Sequence, residues 1–273
     1  MKISRLLLRS LLLSLLHSLL RLSLFLTCTL LSAACFSQEI IRIYTIEEFD
    51  NDGKPLPLHK DTVSLLNIIG KYLPAKFDVR RVPWKRAMDN ALQGDGILLG
   101  MSITTERAKK FAFSDPINMS RNWLITRCDA KFQFDTLADL KGKTLGVVLG
   151  TSAGEQFDQQ ANILFKLEND TGAGISRLQK LMAGRMDALV WYGSTDSVRE
   201  MESIISRTFT ANFPNQKNNL AVPLCVLPKP VSTVSNHFAM KLDSEKNHLL
   251  TRINLAMANA RKEGDLPPAN FSD

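Results

Sequence analysis

Histidine and cysteine are scarce in this 273-residue chain, four of each, and one histidine (His17) and two cysteines (Cys28, Cys35) fall within the first 37 positions. His59, His237, His248, Cys128 and Cys225 remain, with no HExxH, no CxxC and no nucleophile elbow. The sequence therefore offers neither a metal-ligand set nor a nucleophile–base pair. The glycine-bearing run GKTLGVVLGTSAG lacks the Gly-Lys-Ser/Thr ending that would let it cradle a nucleotide phosphate. Beyond residue 37, low-complexity segments and exact repeats are missing. After Ser37 no apolar run is long enough to span a bilayer.

Acidic residues are absent from Met1 to Ser37, which carries Lys2, Arg5, Arg9 and Arg21 and long leucine runs ending in small residues. That composition reads as an export signal, with its apolar core at residues 22–34 and cleavage before Gln38. Lipidation at Cys35 and retention as a membrane anchor are the alternatives. Taking those four basic residues from the total of 34 leaves 30 against 27 acidic ones, so the formal charge falls from +7 to +3. Nothing in the charge distribution beyond residue 37 forms a nucleic-acid-binding stripe.

Cys128 and Cys225 are the cysteines expected in the exported protein. An oxidising compartment permits a disulfide between them, which would close a loop of nearly a hundred residues and contribute about 4–5 kcal/mol in the chain-entropy picture. Two separate buried thiols are the other possibility, because sequence fixes no distance.

Hydrophobic periodicity places a buried strand at 40–46, a helix at 62–72 with Val63, Leu66, Ile69 and Leu73 on one face, a strand at 76–82, a helix at 84–92 stopped by Gly94, and a strand at 97–101. The pattern then restarts: strands at 122–127 and 143–149, helices at 153–160 and 175–183, and a strand at 187–191. A strand at 237–240 and a helix at 249–262 complete the chain. Two α/β units in series, each with a largely parallel sheet, are implied.

In open α/β sheets, ligands lie at the carboxyl ends of strands, where free backbone N–H groups gather. Two such junctions are rich in hydroxyls: Gly100–Arg107, containing Ser102, Thr104 and Arg107, and Leu149–Gly154, containing Thr151 and Ser152. The planar fork of Arg107 suits a carboxylate or phosphate. Phe49, Trp84 and Tyr192 each stand near a strand end or helix start, and pockets use such aromatics to fix small ligands.

Four stretches in order, WKRAMDNALQGDGILLGMSITTERAKKFAFSDPI, TLADLKGKTLGVVLGTSAGEQFD, LQKLMAGRMDALVW and LLTRINLAMANARKEGDL, resemble solute-binding protein family 3, the periplasmic receptors of amino-acid ABC importers. The resemblance implies a two-lobed type II periplasmic binding protein fold: residues 38–126 plus 236–273 as lobe 1, 127–235 as lobe 2, and the ligand in the cleft between them. It implies that Arg107 grips a carboxylate helped by Ser102 and Thr151, that Trp84 lines the pocket, and that closure rather than chemistry is the mechanism. Where amino-acid receptors of this family place an aspartate after the strand ending DALVW, this chain has Tyr192, with Gly193 next and Asp196 beyond.

The expected protein is thus a periplasmic monomer that binds a small anionic or zwitterionic molecule without cofactor or metal and presents it to an inner-membrane ABC permease. Two rivals remain. A soluble sensory binding protein would report occupancy to a signalling partner. A cyclohexadienyl-dehydratase-like enzyme on the same fold would need a cleft carboxylate, for which Glu48 and Asp196 are the candidates.

Overall fold

The computed structural model describes residues 39–50, 52–213, 223–243 and 248–269. The readings of residues 1–37 as a signal and of Cys35 as a lipidation site lie outside the described residues. No helix among the described residues is long and apolar enough to cross a membrane.

In chain order the elements are β1 (Glu39–Ile46), β2 (Glu48–Phe49), α1 (Lys60–Tyr72), β3 (Ala75–Val82), α2 (Trp84–Leu92), β4 (Ile97–Met101), α3 (Thr105–Ala108), β5 (Phe111–Phe113) and β6 (Asn118–Arg127). There follow β7 (Thr144–Val148), α4 (Glu155–Gln160), β8 (Lys166–Asp170), β9 (Ala173–Gly174), α5 (Ser176–Met182), β10 (Ala188–Gly193), α6 (Val198–Asn212), β11 (Leu224–Val226), β12 (Ser232–Lys241) and α7 (His248–Lys262).

The main sheet runs β3-β1-β4-β12-β6-β10-β7-β8. Pairing is parallel where a helix returns the chain to the sheet, as in β1–β4, β7–β10 and β7–β8. It is antiparallel around β6 and β12, so the whole sheet is mixed rather than mostly parallel. β12 uses His237 to Lys241 against β4 and β5, and Ser232 to Asn236 against Asn118 to Asn122 of β6. β6 then continues into the pairing with β10 and β11. These two strands are where the chain crosses from one half of the molecule to the other.

Each half has its own apolar interior. In the first, Leu66 and Ile69 of α1 and Leu73 just after it meet Leu249, Leu250, Ile253, Ala256, Met257 and Ala260 of α7 over Ile41, Ile43 and Phe238 of the sheet. The spacing of the α7 residues puts them on one helical face. Burying a side chain such as Ile69 stabilises by roughly 1.5–3 kcal/mol. The second half packs Leu178 and Leu181 of α5 with Met201, Ile205 and Phe209 of α6 against one sheet face, and Phe157 and Phe165 against the other. Cys128 and Cys225 are joined by a disulfide in this half, where β11 lies beside the end of β6.

The crossing region is held by polar contacts. Arg261 at the end of α7 donates from Nη2 to the carbonyls of Pro116 and Ile117, just before β6. His237, buried at a bulge in β12, is hydrogen-bonded at both ring nitrogens, Nδ1 to the Ser114 carbonyl and Nε2 to the Ser235 hydroxyl, each at 2.7 Å. Burial holds its imidazole below the usual value.

Candidate functional site

The turn after β4 positions Arg107 by purely local chemistry. Thr104 is the N-cap of the single-turn helix α3, its Oγ1 accepting from the Arg107 N–H at 3.2 Å. That turn sends the guanidinium back over the strand end. There Nη1 donates to both the carbonyl and the hydroxyl of Ser102, each at 2.8 Å. Nη2 donates to the carbonyl of Gly150, also at 2.8 Å, on the opposite half of the molecule. A guanidinium carries five N–H donors. The Nε–H and the second Nη2–H of Arg107 have no partner among the described residues.

Gly150 ends the turn after β7 in the left-handed region, φ +83°, and sits against the start of α2. A Cβ there would lie 2.7 Å from Met88 Cε and 3.6 Å from Trp84 Cδ1, so both conformation and space call for glycine. Val148 of β7 completes the contact by joining the apolar cluster of Tyr44, Trp84, Ala87, Met101 and Phe111. A further link across the halves runs from the Thr105 N–H to Glu155 Oε2 at 2.8 Å.

Trp84 is only 5% exposed and belongs to that cluster. Its indole Nε1–H is buried without a hydrogen-bond partner among the described residues. Because Cδ1 adjoins Nε1 in the ring, this donor lies at the Gly150 side of the tryptophan.

The facing wall is assembled from several segments. Thr151 Oγ1 donates to the Val148 carbonyl at 2.6 Å and accepts from the Tyr192 hydroxyl at 2.7 Å. The Ser152 hydroxyl is hydrogen-bonded to Asp158 of α4 and accepts from the Gly154 N–H at 3.1 Å, while Asp158 Oδ1 accepts from the Ala153 N–H at 3.2 Å. Burial pushes the Asp158 carboxyl up, against the pull of those hydrogen bonds and of Arg107. Burial likewise raises the Tyr192 phenol, opposed by its bond to Thr151 and by the guanidinium groups of Arg177 and Arg107. For Arg107 itself, burial lowers the value and Asp158 and Tyr192 raise it.

Arg177 is the residue that sequence reading missed. It is 3% exposed, on α5, and its Nη2 donates to the carbonyls of Gly146 in β7 and Val190 in β10 at 3.2 and 3.1 Å. Its Nε lies 3.6 Å from Asp170 Oδ2, and Lys180 pairs with the other oxygen of that carboxylate. The available signal was an arginine four residues before Leu181, on the apolar face of the 175–183 helix.

Phe49 stands elsewhere, on β2, which pairs in parallel with β9 of the other half, Phe49 opposite Gly174. The Ile175 N–H donates to the Phe49 carbonyl at 3.5 Å. Ser102, Arg107, Thr151 and Tyr192 are therefore brought together by direct hydrogen bonds or through the Gly150 turn, with Trp84 beside that turn. Thr104 spends its hydroxyl on capping α3, and Ser152 spends its own on Asp158 and the Gly154 N–H. Glu48 belongs to the β2 pairing, and Asp196 is exposed beyond β10. A separate surface depression of about 450 Å³, lined by Leu137, Gln156, Gln160 and Leu164 among others, contains no charged side chain.

The model of the bacterial extracellular solute-binding proteins, family 3, matches residues 52–268. The chain belongs to that family. Among its relatives, the arginine-binding extracellular protein ArtP of Bacillus subtilis is 34% identical over 99 residues, spanning 36% of this chain and 38% of that protein's length. The L-cystine-binding protein TcyJ of Escherichia coli is 24% identical over 218 residues, 79% of this chain and 73% of the relative. An ancestral arginine-binding protein bound to arginine superposes with a TM-score of 0.62 at 22% identity, covering 84% of this chain and 95% of that one. Holo ArgBP from T. maritima gives 0.60 at 22%, covering 81% and 90%. These structures establish the two-lobed type II binding-protein fold for the chain, and the family is one of solute-binding proteins.

Proposed function

We propose that this family 3 protein is exported by residues 1–37, with cleavage before Gln38, and captures a small carboxylate-bearing solute, anionic or zwitterionic, for an inner-membrane ABC permease. Lobe 1 comprises residues 38–126 and 236–273, and lobe 2 residues 127–235. The protein works as a periplasmic monomer without cofactor. Arg107, Ser102 and Thr151 hold the carboxylate; Trp84 and Tyr192 cover the rest of the solute; and Thr104, Ser152 and Phe49 shape the cleft around them.

One observation carries this reading: a half-buried guanidinium fixed by Ser102 and Gly150 from opposite sides still has two N–H groups to give. A carboxylate accepts both in two-point fashion. The solute-binding family and the arginine- and cystine-binding relatives support the same class of ligand. Catalysis finds no support in the positions of Glu48 and Asp196. Isothermal calorimetry with small carboxylates tests the reading. Arg107→Ala should weaken binding by about 2–5 kcal/mol, the usual effect of truncating one partner of a buried charged contact; unchanged affinity would remove Arg107 from the site.

A further inference from the structure

The groups around the cleft can be sorted by the charge and hydrogen-bonding capacity they still hold. On the lobe 1 side, Arg107 has two N–H donors without a partner among the described residues, and Trp84 has a buried indole N–H in the same condition. Both are donors only. On the lobe 2 side, Tyr192 and Thr151 are neutral and bonded to one another. Asn122, on the lobe 1 segment but opposite Tyr192 in the β6–β10 register, adds a neutral amide whose buried Oδ1 has no partner among the described residues. The second guanidinium, that of Arg177, is bonded to the carbonyls of Gly146 in β7 and of Val190 in β10, two residues before Tyr192.

Carboxylates are present but committed. Asp158 is used by the Ser152 hydroxyl and the Ala153 N–H, and Asp170 by Lys180 and Arg177. At the Tyr192 phenol the groups that act electrostatically are, in order of size, Arg177, Arg107 and Asp158: two positive and one negative. An ammonium group placed against Tyr192 would give up its water for neutral acceptors while standing in the field of two guanidinium groups, with one carboxylate, Asp158, opposing them. An unpaired buried charge of that kind is strongly unfavourable. An oxygen acceptor at the same place meets donors and a positive field.

We propose that the solute held between Arg107 and Tyr192 is a small carboxylate with a second oxygen function and no ammonium group: a hydroxy acid, an oxo acid or a dicarboxylate. The inference rests on the binding role proposed above and narrows its ligand. Arg177 is, on this account, a specificity-determining residue that acts through the positive charge it holds under β7 and β10, without touching the solute.

Calorimetry on the exported protein with matched sets differing only at one carbon decides the matter: alanine, lactate and pyruvate, then aspartate, malate, oxaloacetate and succinate. The expected result is that at least one amine-free acid binds, and binds tenfold or more tighter than its amino-acid counterpart. Tyr192→Asp, which supplies a carboxylate at that point, should shift the preference toward the amino acid; the comparison in the unmodified protein does not depend on that variant folding. Amino acids binding as tightly as their amine-free counterparts, or tighter, would overturn the inference. If that binding vanished in Arg107→Ala, the receptor reading would survive the loss. No heat from any compound in either set would overturn both.

Discussion

The two sides of the proposed site are made in opposite ways. The wall carrying Arg107 comes from one short stretch: Ser102, Thr104 and Arg107 lie within six residues, and their mutual hydrogen bonds fix the guanidinium before any distant part of the chain arrives. The wall carrying Thr151 and Tyr192 draws on β7, β10 and α5, with separations of 41 residues between Tyr192 and Thr151 and 31 between Arg177 and Gly146. A contiguous turn can hold its geometry by capping alone. A dispersed wall holds only as well as the core beneath it is packed.

That contrast can be tested by substitution. The largest effect is expected from Leu178→Ala, which empties a fully buried position on α5 directly beside Arg177. A loss of about 2–5 kcal/mol in stability by urea denaturation is anticipated, with solute affinity falling as well. Undiminished affinity would mean that the second wall does not depend on its core.

Gly150→Ala comes next. It places a side chain at φ +83° and pushes on Met88, whose flexible tip can yield, so the backbone term of about 1–2 kcal/mol dominates. Because Gly150 meets α2 only when the halves are together, this variant should have a larger radius of gyration by X-ray scattering without solute, and solute should reverse the change. Thr104→Ala removes a helix cap, for which about 0.5–2 kcal/mol is typical. Its influence should stay within the Arg107 turn, weakening carboxylate binding while leaving the amide exchange of β7 and β10 unaltered.

The smallest effect is a pH dependence. Burial depresses His237 in the folded protein, so between that lowered value and about 6.5 the unfolded chain binds more protons than the native one. The stability due to the neutral imidazole is complete above about pH 6.5 and declines as the pH falls through this interval. His237→Gln should show a shallower loss of melting temperature between pH 7 and pH 5 than the unmodified protein.

The same contrast explains what could be read from the sequence. The fold class was legible because the long strands and helices carry clean apolar periodicity, as in residues 40–46 and along α7. The local geometry of the Arg107 turn was legible because Ser102 and Thr104 are its neighbours; its bond to Gly150, 43 residues on, was not. Arg177 escaped because its significance appears only when α5 docks under β7 and β10. β2 and β9 escaped for another reason: two-residue strands are defined by main-chain pairing, which leaves no side-chain pattern. The helix α6 has Met201, Ile205 and Phe209 at four-residue spacing, but the charged residues between them hid the stripe. β8, with the sequence KLEND, lies at the sheet edge and has too little apolar content to stand out.

The rung joining Phe49 to Gly174 and Ile175 is built from peptide groups, and it tolerates no side chain at its centre: a Cβ at Gly174 would come within 3.0 Å of the Phe49 carbonyl oxygen. Any excursion that parts the lobes must also unzip this rung and hand its amide to solvent. The deuterium uptake of the single Ile175 N–H is therefore a clock for breathing of the whole receptor, readable before its solute has been identified.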